Sequence, residues 1–200
     1  MYQEINNHSL EQVFRLLGSR LEWNNAPPVR LVVCGGAAMI ATGLISRATM
    51  DVDIVAFLDS TQRLSAPVPL PDYLLIAANE VAEVLNLPNG WLNNGPSRDE
   101  GGLFQMGLPV GFQGRLHPRE YGSHLTVWFI DRVDQIHFKL YAAVDRGGYH
   151  ISDLEALSPT REELTQAARW ALSHDVSNEF RGLLKQMLEK LGYGNAAEQI

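Results

Sequence analysis

Apolar residues recur along the chain with two periods, and the switches between them mark the elements. Leu10, Val13, Leu16, Leu17 and Leu21 keep helical spacing, which predicts an amphipathic helix to about Trp23, opened by the capping-box pattern Ser9-x-x-Gln12. Leu31-Val32-Val33-Cys34 is a short β-branched run and predicts a buried strand. Gly35-Gly36 interrupts it, and Ala37 to Leu44 reads as a helix of small residues. Met50 to Phe57 then alternates. Met50, Val52, Ile54 and Ala56 fall on one strand face, with Asp51 and Asp53 together on the other. Beyond Pro67, Pro69 and Pro71, the segment Asp72 to Leu85 predicts a packed helix. Residues 88–115 are dense in Gly, Asn and Pro and predict a long loop, functional or mobile, anchored by Trp91-Leu92-Asn93.

The last part of the chain begins with HLTVWFI, residues 124–130, which predicts another strand. Asp131 caps a helix that stops at Gly147-Gly148, with Ile136, Leu140 and Ala143 as its buried stripe and Lys139 and Arg146 projecting near the edge of that stripe. Ser152-Asp153-Leu154-Glu155 and Thr160-x-x-Glu163 are further capping-box patterns, and a final helix runs from Val176 to Leu191. The expected fold is α/β (α+β), a small mixed sheet with flanking helices. Residues 1–157 would form the core and 158–200 a helical C-terminal extension packed on it.

Composition narrows the functional classes. A net charge of −7 argues against avid non-specific nucleic-acid binding, while leaving room for an RNA substrate at a local basic patch. The single cysteine, Cys34, excludes an internal disulfide and fits a reducing cytoplasm; its place at the end of an apolar run marks it as a buried, inert thiol. MYQEINNHSLEQ has neither a basic nor an apolar signal region, and no apolar stretch is long enough to span a membrane. His117, His124, His137 and His174 lack metal-ligand spacing, so zinc is not expected, and His150 reads as structural.

The chemistry lies between residues 35 and 53. Carboxylates two apart on one strand face sit roughly 6–7 Å apart at Cα. Charges that close resist joint ionisation unless a cation is shared. Mg²⁺ (or Mn²⁺) supplies one, being commonly held by one or two carboxylates plus substrate phosphates. A Gly-Gly turn opening a helix gives the other half, because missing Cβ atoms and free N–H groups let a phosphate approach. Anion cradle and metal clamp together suggest phosphoryl or nucleotidyl transfer.

Strand, Gly35-Gly36, helix, then Arg47-x-Thr49-x-Asp51-x-Asp53 resembles the nucleotidyltransferase superfamily related to DNA polymerase beta. Within it, the pattern is similar to the AbiEii/AbiGii toxin-like branch of toxin–antitoxin and phage-defence systems. Lys139-x-x-Ala142-x-x-x-Arg146, followed by Asp153-Leu154, resembles the second signature of that branch. The resemblance covers residues 30–57 and 130–157. It implies that Asp51 and Asp53 hold the metal, that Gly35, Gly36, Arg47, Thr49 and Arg146 bind nucleotide, and that Lys139 contacts the triphosphate. Asp153 would complete the acidic site. A nucleoside triphosphate would be the donor, an RNA, protein or small-molecule hydroxyl the acceptor, and an antitoxin protein the partner. Two departures stand out. Ala37 to Met50 is slightly longer than the branch's usual spacing, and no third strand carboxylate has a counterpart near HLTVWFI. The rival reading is a catalytically idle nucleotide-binding or protein-interaction module on the same fold.

Overall fold

The computed structural model describes residues 2–99 and 101–200. It divides into two compact units, Met1–Ile130 and Asp131–Ile200. The boundary expected at 157/158 thus falls inside the second unit. The fold is mixed α/β, as expected.

In the first unit a six-stranded sheet runs in the order β3-β2-β1-β6-β5, with β4 also paired to β2. The strands are β1 (Val29–Cys34), β2 (Val52–Leu58), β3 (Leu64–Ser65), β4 (Leu92–Asn93), β5 (His117–Glu120) and β6 (Leu125–Phe129). β1 lies at the centre, parallel to β6 and antiparallel to β2, and five of its six residues are buried. Burial on both faces explains its near-continuous apolar run. β5 is wholly exposed, includes Pro118 and forms a sheet edge, where a strand carries little apolar pattern to read.

β2 departs from simple alternation. Its register against β1 pairs Ala56 with Val32 and Ile54 with Val33, so Val55 is an extra residue, a β-bulge. Directly opposed residues share a face. Ile54 therefore lies with Val33, and Ala56 with Val32, on opposite faces of the sheet. The expected single face of Met50, Val52, Ile54 and Ala56 is corrected on both counts: the bulge splits it, and Met50 precedes the strand and is exposed. The Ser97 hydroxyl, fully buried, donates to the Val55 carbonyl at 2.9 Å, so a main-chain acceptor at the bulge has a partner.

Helix α1 (Asn7–Trp23) packs on α2 (Gly35–Ala41), α3 (Asp72–Leu85) and β6. Its N-cap is Asn6, and Ser9, the third residue of the helix, closes the capping box and is not the cap itself. α3 has the expected bounds. Residues 88–115 are not one loop. They hold β4, a 3₁₀ turn at Gly95–Ser97, the short α4 (Leu103–Met106) and another 3₁₀ turn at Phe112–Arg115. Trp91 is buried and its indole donates to the Ala78 carbonyl at 2.9 Å, giving the segment the expected anchor. Glu11 of α1 accepts from Arg119 at 2.7 Å and from Tyr121 at 3.0 Å. Burial, with Glu11 adding to it, pushes the Tyr121 hydroxyl up to about 12.

The second unit is helical: α5 (Arg132–Arg146), α6 (Tyr149–Ala156), α7 (Arg161–His174), α8 (Asn178–Lys190) and α9 (Gly194–Ala197). Asp131 caps α5 through Val133 N–H, and Thr160 with Glu163 forms the expected capping box of α7. The expected box at Ser152 is corrected. α6 starts four residues earlier, after Gly148, and Ser152 lies inside it with its hydroxyl on the Tyr149 carbonyl. Arg132 ties the unit together, bonding Glu163 at 2.6 Å and the Leu157 and Ser158 carbonyls.

Candidate active site

Six of the nine residues singled out from sequence come together in the first unit. β1 ends at Cys34, opposite Asp53 of β2, so the glycines that continue β1 lie against the Asp53 side chain. A Cβ built on Gly35 would stand 2.9 Å from Asp53 Oδ2, and Gly35 has φ +67, which side-chain-bearing residues rarely adopt. A Cβ on Gly36 would meet Thr49 Oγ1 at 3.1 Å and Arg47 Nη2 at 3.7 Å. Thr49 Oγ1 donates to Asp51 Oδ1 at 2.9 Å. Gly35, Gly36, Arg47, Thr49, Asp51 and Asp53 thus form one contiguous group. The close approaches explain both glycines sterically.

Asp51 lies just ahead of β2 and is exposed, whereas Asp53 sits within the strand and is half-buried. The helix after the glycines ends at Ala41, well short of the expected Leu44. With barely two turns, its dipole adds little, and the glycines' contribution is close approach. Arg119 donates to the Ala41 carbonyl, holding the far end of this helix.

Two supports escaped the sequence. Ile5, fully buried, forms an isolated bridge with Thr49: Ile5 N–H donates to Thr49 O at 2.7 Å, and Thr49 N–H to Ile5 O at 2.9 Å. The segment before α1 therefore sets the backbone that aims the Thr49 hydroxyl at Asp51. Asn93 of β4 pairs with Asp53 in parallel register, extending the row of Cys34 and Asp53 across the sheet. Asn93-Asn94-Gly95-Pro96 reads only as a turn in sequence, and Ile5 as one apolar residue among polar ones. Neither carries a local signal of its partner.

The other three residues lie in the second unit. Lys139 Nζ bonds Asp153 Oδ2 at 2.7 Å, with both side chains almost fully buried, and sits 5.5 Å from the centre of the Tyr149 ring. The expected place of Lys139, near the edge of the buried stripe, is corrected: the stripe is wider and includes it. Arg146 is exposed and its Nε contacts Asp145 at 3.0 Å. Lys139 and Arg146, seven apart, do not share an environment.

Among the described residues, no three His, Cys, Asp or Glu side chains gather into a group that could hold a metal, and no helix is long and apolar enough to cross a membrane. Comparison of the chain with protein-family models, with curated proteins and with solved structures found no match.

Proposed function

We propose that the chain is a Mg²⁺-dependent nucleotidyltransferase that moves a nucleoside monophosphate from a nucleoside triphosphate to an acceptor hydroxyl. The observation that carries the reading is the convergence of Gly35, Gly36, Arg47, Thr49, Asp51 and Asp53 on one spot. The donor set suits the ion. Two carboxylates leave a hard divalent cation short of oxygens, and the space a Cβ on Gly35 would fill lies against Asp53 Oδ2, where phosphate oxygens can complete the shell. Asp51 and Asp53 would hold Mg²⁺ or Mn²⁺ together with the bound triphosphate. When bound, the ion neutralises charge on the phosphates and orients them.

The chain's own residues do the rest. Gly35 and Gly36 admit the phosphates close to the backbone, and the Arg47 guanidinium, beside Gly36, pairs with a phosphate oxygen. Thr49 holds one Asp51 oxygen, leaving the other to the ion or to the acceptor proton. The acceptor oxygen attacks the α-phosphorus and the bond to the β-phosphate oxygen breaks. Pyrophosphate leaves, and the acceptor proton passes to water through the exposed Asp51 carboxylate. Catalysis of this kind is mostly positioning and electrostatics. Lys139 and Asp153 neutralise one another and lie outside this core of the reading. A toxin role with an antitoxin partner, and a cytoplasmic location, are the parts that rest on sequence alone.

The test is to incubate the full chain with Mg²⁺ and each nucleoside triphosphate, radiolabelled on the α-phosphate, with total cell RNA or lysate protein as acceptor. Transfer from one preferred nucleotide, lost in Asp51→Asn/Asp53→Asn, is expected. Absence of transfer, with equal nucleotide binding by wild type and double variant, would sink the proposal. That outcome would favour the second reading, an idle nucleotide-binding or interaction module, for which the pair of carboxylates, with no third gathered beside it among the described residues, is the supporting observation.

A further inference from the structure

The first unit carries an open groove of about 1180 Å³ along the outer side of α1. Its walls include Arg15 and Leu16 of α1, Ile40 near the end of α2, Ile45 of the following loop, and Val84 and Leu85 of α3. Two of the residues that line the groove adjoin the candidate site along the chain. Ser46 on its rim directly precedes Arg47, and Asn6 on its rim directly follows Ile5, whose backbone is bridged to Thr49. We propose that this groove is the acceptor site and takes an extended polypeptide segment that combines apolar side chains, an acidic residue and the hydroxyl to be modified. The inference rests on the nucleotidyltransferase reading and names its acceptor class.

Size, lining and charge each favour a polypeptide. The volume exceeds the ~300–1,000 Å³ of small-molecule clefts, and the groove is open along its length. Val84 is 57% exposed, and Leu16, Ile45 and Leu85 are each half-buried, so apolar surface on three elements faces one channel. A polyanion would need several cations to offset its phosphates. Among the described residues Arg15 is the only lysine or arginine in the lining. The one carboxylate among the described lining residues, Glu11, is engaged by Arg119 and Tyr121. Among the described residues no carboxylate pairs with Arg15, so its charge is complementary to an acid on the occupant. The Gln12 side-chain amide, and the Asn6 amide nitrogen, whose oxygen caps α1, can bond the main chain of an extended segment.

The chemical step is the one given above, with a serine, threonine or tyrosine oxygen of the segment as nucleophile. A phosphodiester to that side chain forms, the bond between the α- and β-phosphates breaks, and pyrophosphate and one proton leave.

Fluorescein-labelled peptides, each with a serine flanked by apolar residues, in acidic, neutral and basic versions, test the assignment on the full chain by anisotropy. An RNA hairpin with a free terminal hydroxyl serves as the competing probe. The acidic version is expected to bind best. Val84→Glu, at an exposed position, should weaken it about tenfold while leaving nucleotide binding unchanged. Arg15→Glu should shift the preference to the basic version. With Mg²⁺ and nucleoside triphosphate the bound peptide should be labelled, and Asp53→Asn should abolish labelling but not peptide binding. Label on RNA alone, or no peptide binding while RNA is labelled, overturns the acceptor assignment and leaves the transferase standing. Peptide binding unaffected by Val84→Glu and Arg15→Glu removes the groove. No label on any acceptor overturns both.

Discussion

Replacing Lys139 by Met puts a sharp question to the second unit. The substitution keeps most of the stem volume and removes the ammonium that lies 2.7 Å from Asp153 Oδ2. Asp153 is 2% exposed, so its carboxylate stays buried without its counter-charge. Breaking a buried pair from one side costs about 3–5 kcal/mol. Loss of the ammonium over the Tyr149 ring adds about 0.5–1 kcal/mol. A unit of about 70 residues has roughly 4–10 kcal/mol to lose, so Lys139→Met should leave it close to unfolding. Removing both charges, in Lys139→Met/Asp153→Leu, should recover most of the loss, because two apolar side chains replace a desolvated pair. Hydrogen exchange read by mass spectrometry localises the effect. The amides of α5 and α6 should exchange far faster in the single variant than in the wild type or the double variant, with the sheet amides unaffected. A single variant as protected as the wild type, or a double variant as weak as the single, would refute the argument. The double variant also separates stability from chemistry. Turnover that survives in it excludes a role for Lys139 on the triphosphate.

Three further outcomes follow from the geometry. Gly35→Ala meets both the left-handed backbone, at about 1–2 kcal/mol, and the Asp53 carboxylate; urea denaturation should register that modest loss, while calorimetry shows Mg²⁺-nucleotide binding abolished, and unchanged binding would detach the glycine from the site. Thr49→Val removes the donor to Asp51 with little change in volume; turnover should fall about tenfold, the scale of one hydrogen bond to a charged group, with the melting temperature nearly constant. Glu163 is held below the usual carboxylate range chiefly by its hydrogen bonds to Arg132. Its contribution is therefore present above the unfolded-state value and lost as pH falls through the lower folded-state value. Glu163→Gln should flatten the acid limb of the second unit's stability curve, and an unchanged limb would show that other carboxylates set it.

What the sequence disclosed was local. Gly35, Gly36, Arg47, Thr49, Asp51 and Asp53 lie within twenty residues of one another, and one strand–helix–strand unit brings them together. α3 was legible to the residue because its apolar face is continuous and its neighbours are not helical. Contacts with no local mark were hidden: Ile5 on Thr49, Asn93 beside Asp53, Ser97 on Val55. Lys139 was misplaced for a different reason. Periodicity locates the middle of a buried stripe, but its width depends on what covers the helix, and here the covering reaches Lys139 and leaves Arg146 in solvent. The alternation from Met50 to Ala56 misled because an extra residue in a strand leaves no trace in composition.

That extra residue acts as a parity bit. Across the sheet, the Leu58 end of β2 and the Asp53 end are read in opposite phase, and the change of phase occurs at Val55. Counted from Leu58 without the bulge, Asp53 would present its carboxylate to the face now shared by Leu31, Val33 and Ile54, away from the glycines. A deletion of Val55 would keep Ala56 opposite Val32, Ile54 opposite Val33 and Asp53 opposite Cys34, leaving the carboxylate on the glycine side, whereas a ladder that drew Val55 into regular pairing would turn it to the wrong side. The site depends on Val55 staying out of the pairing as much as on the identity of its residues.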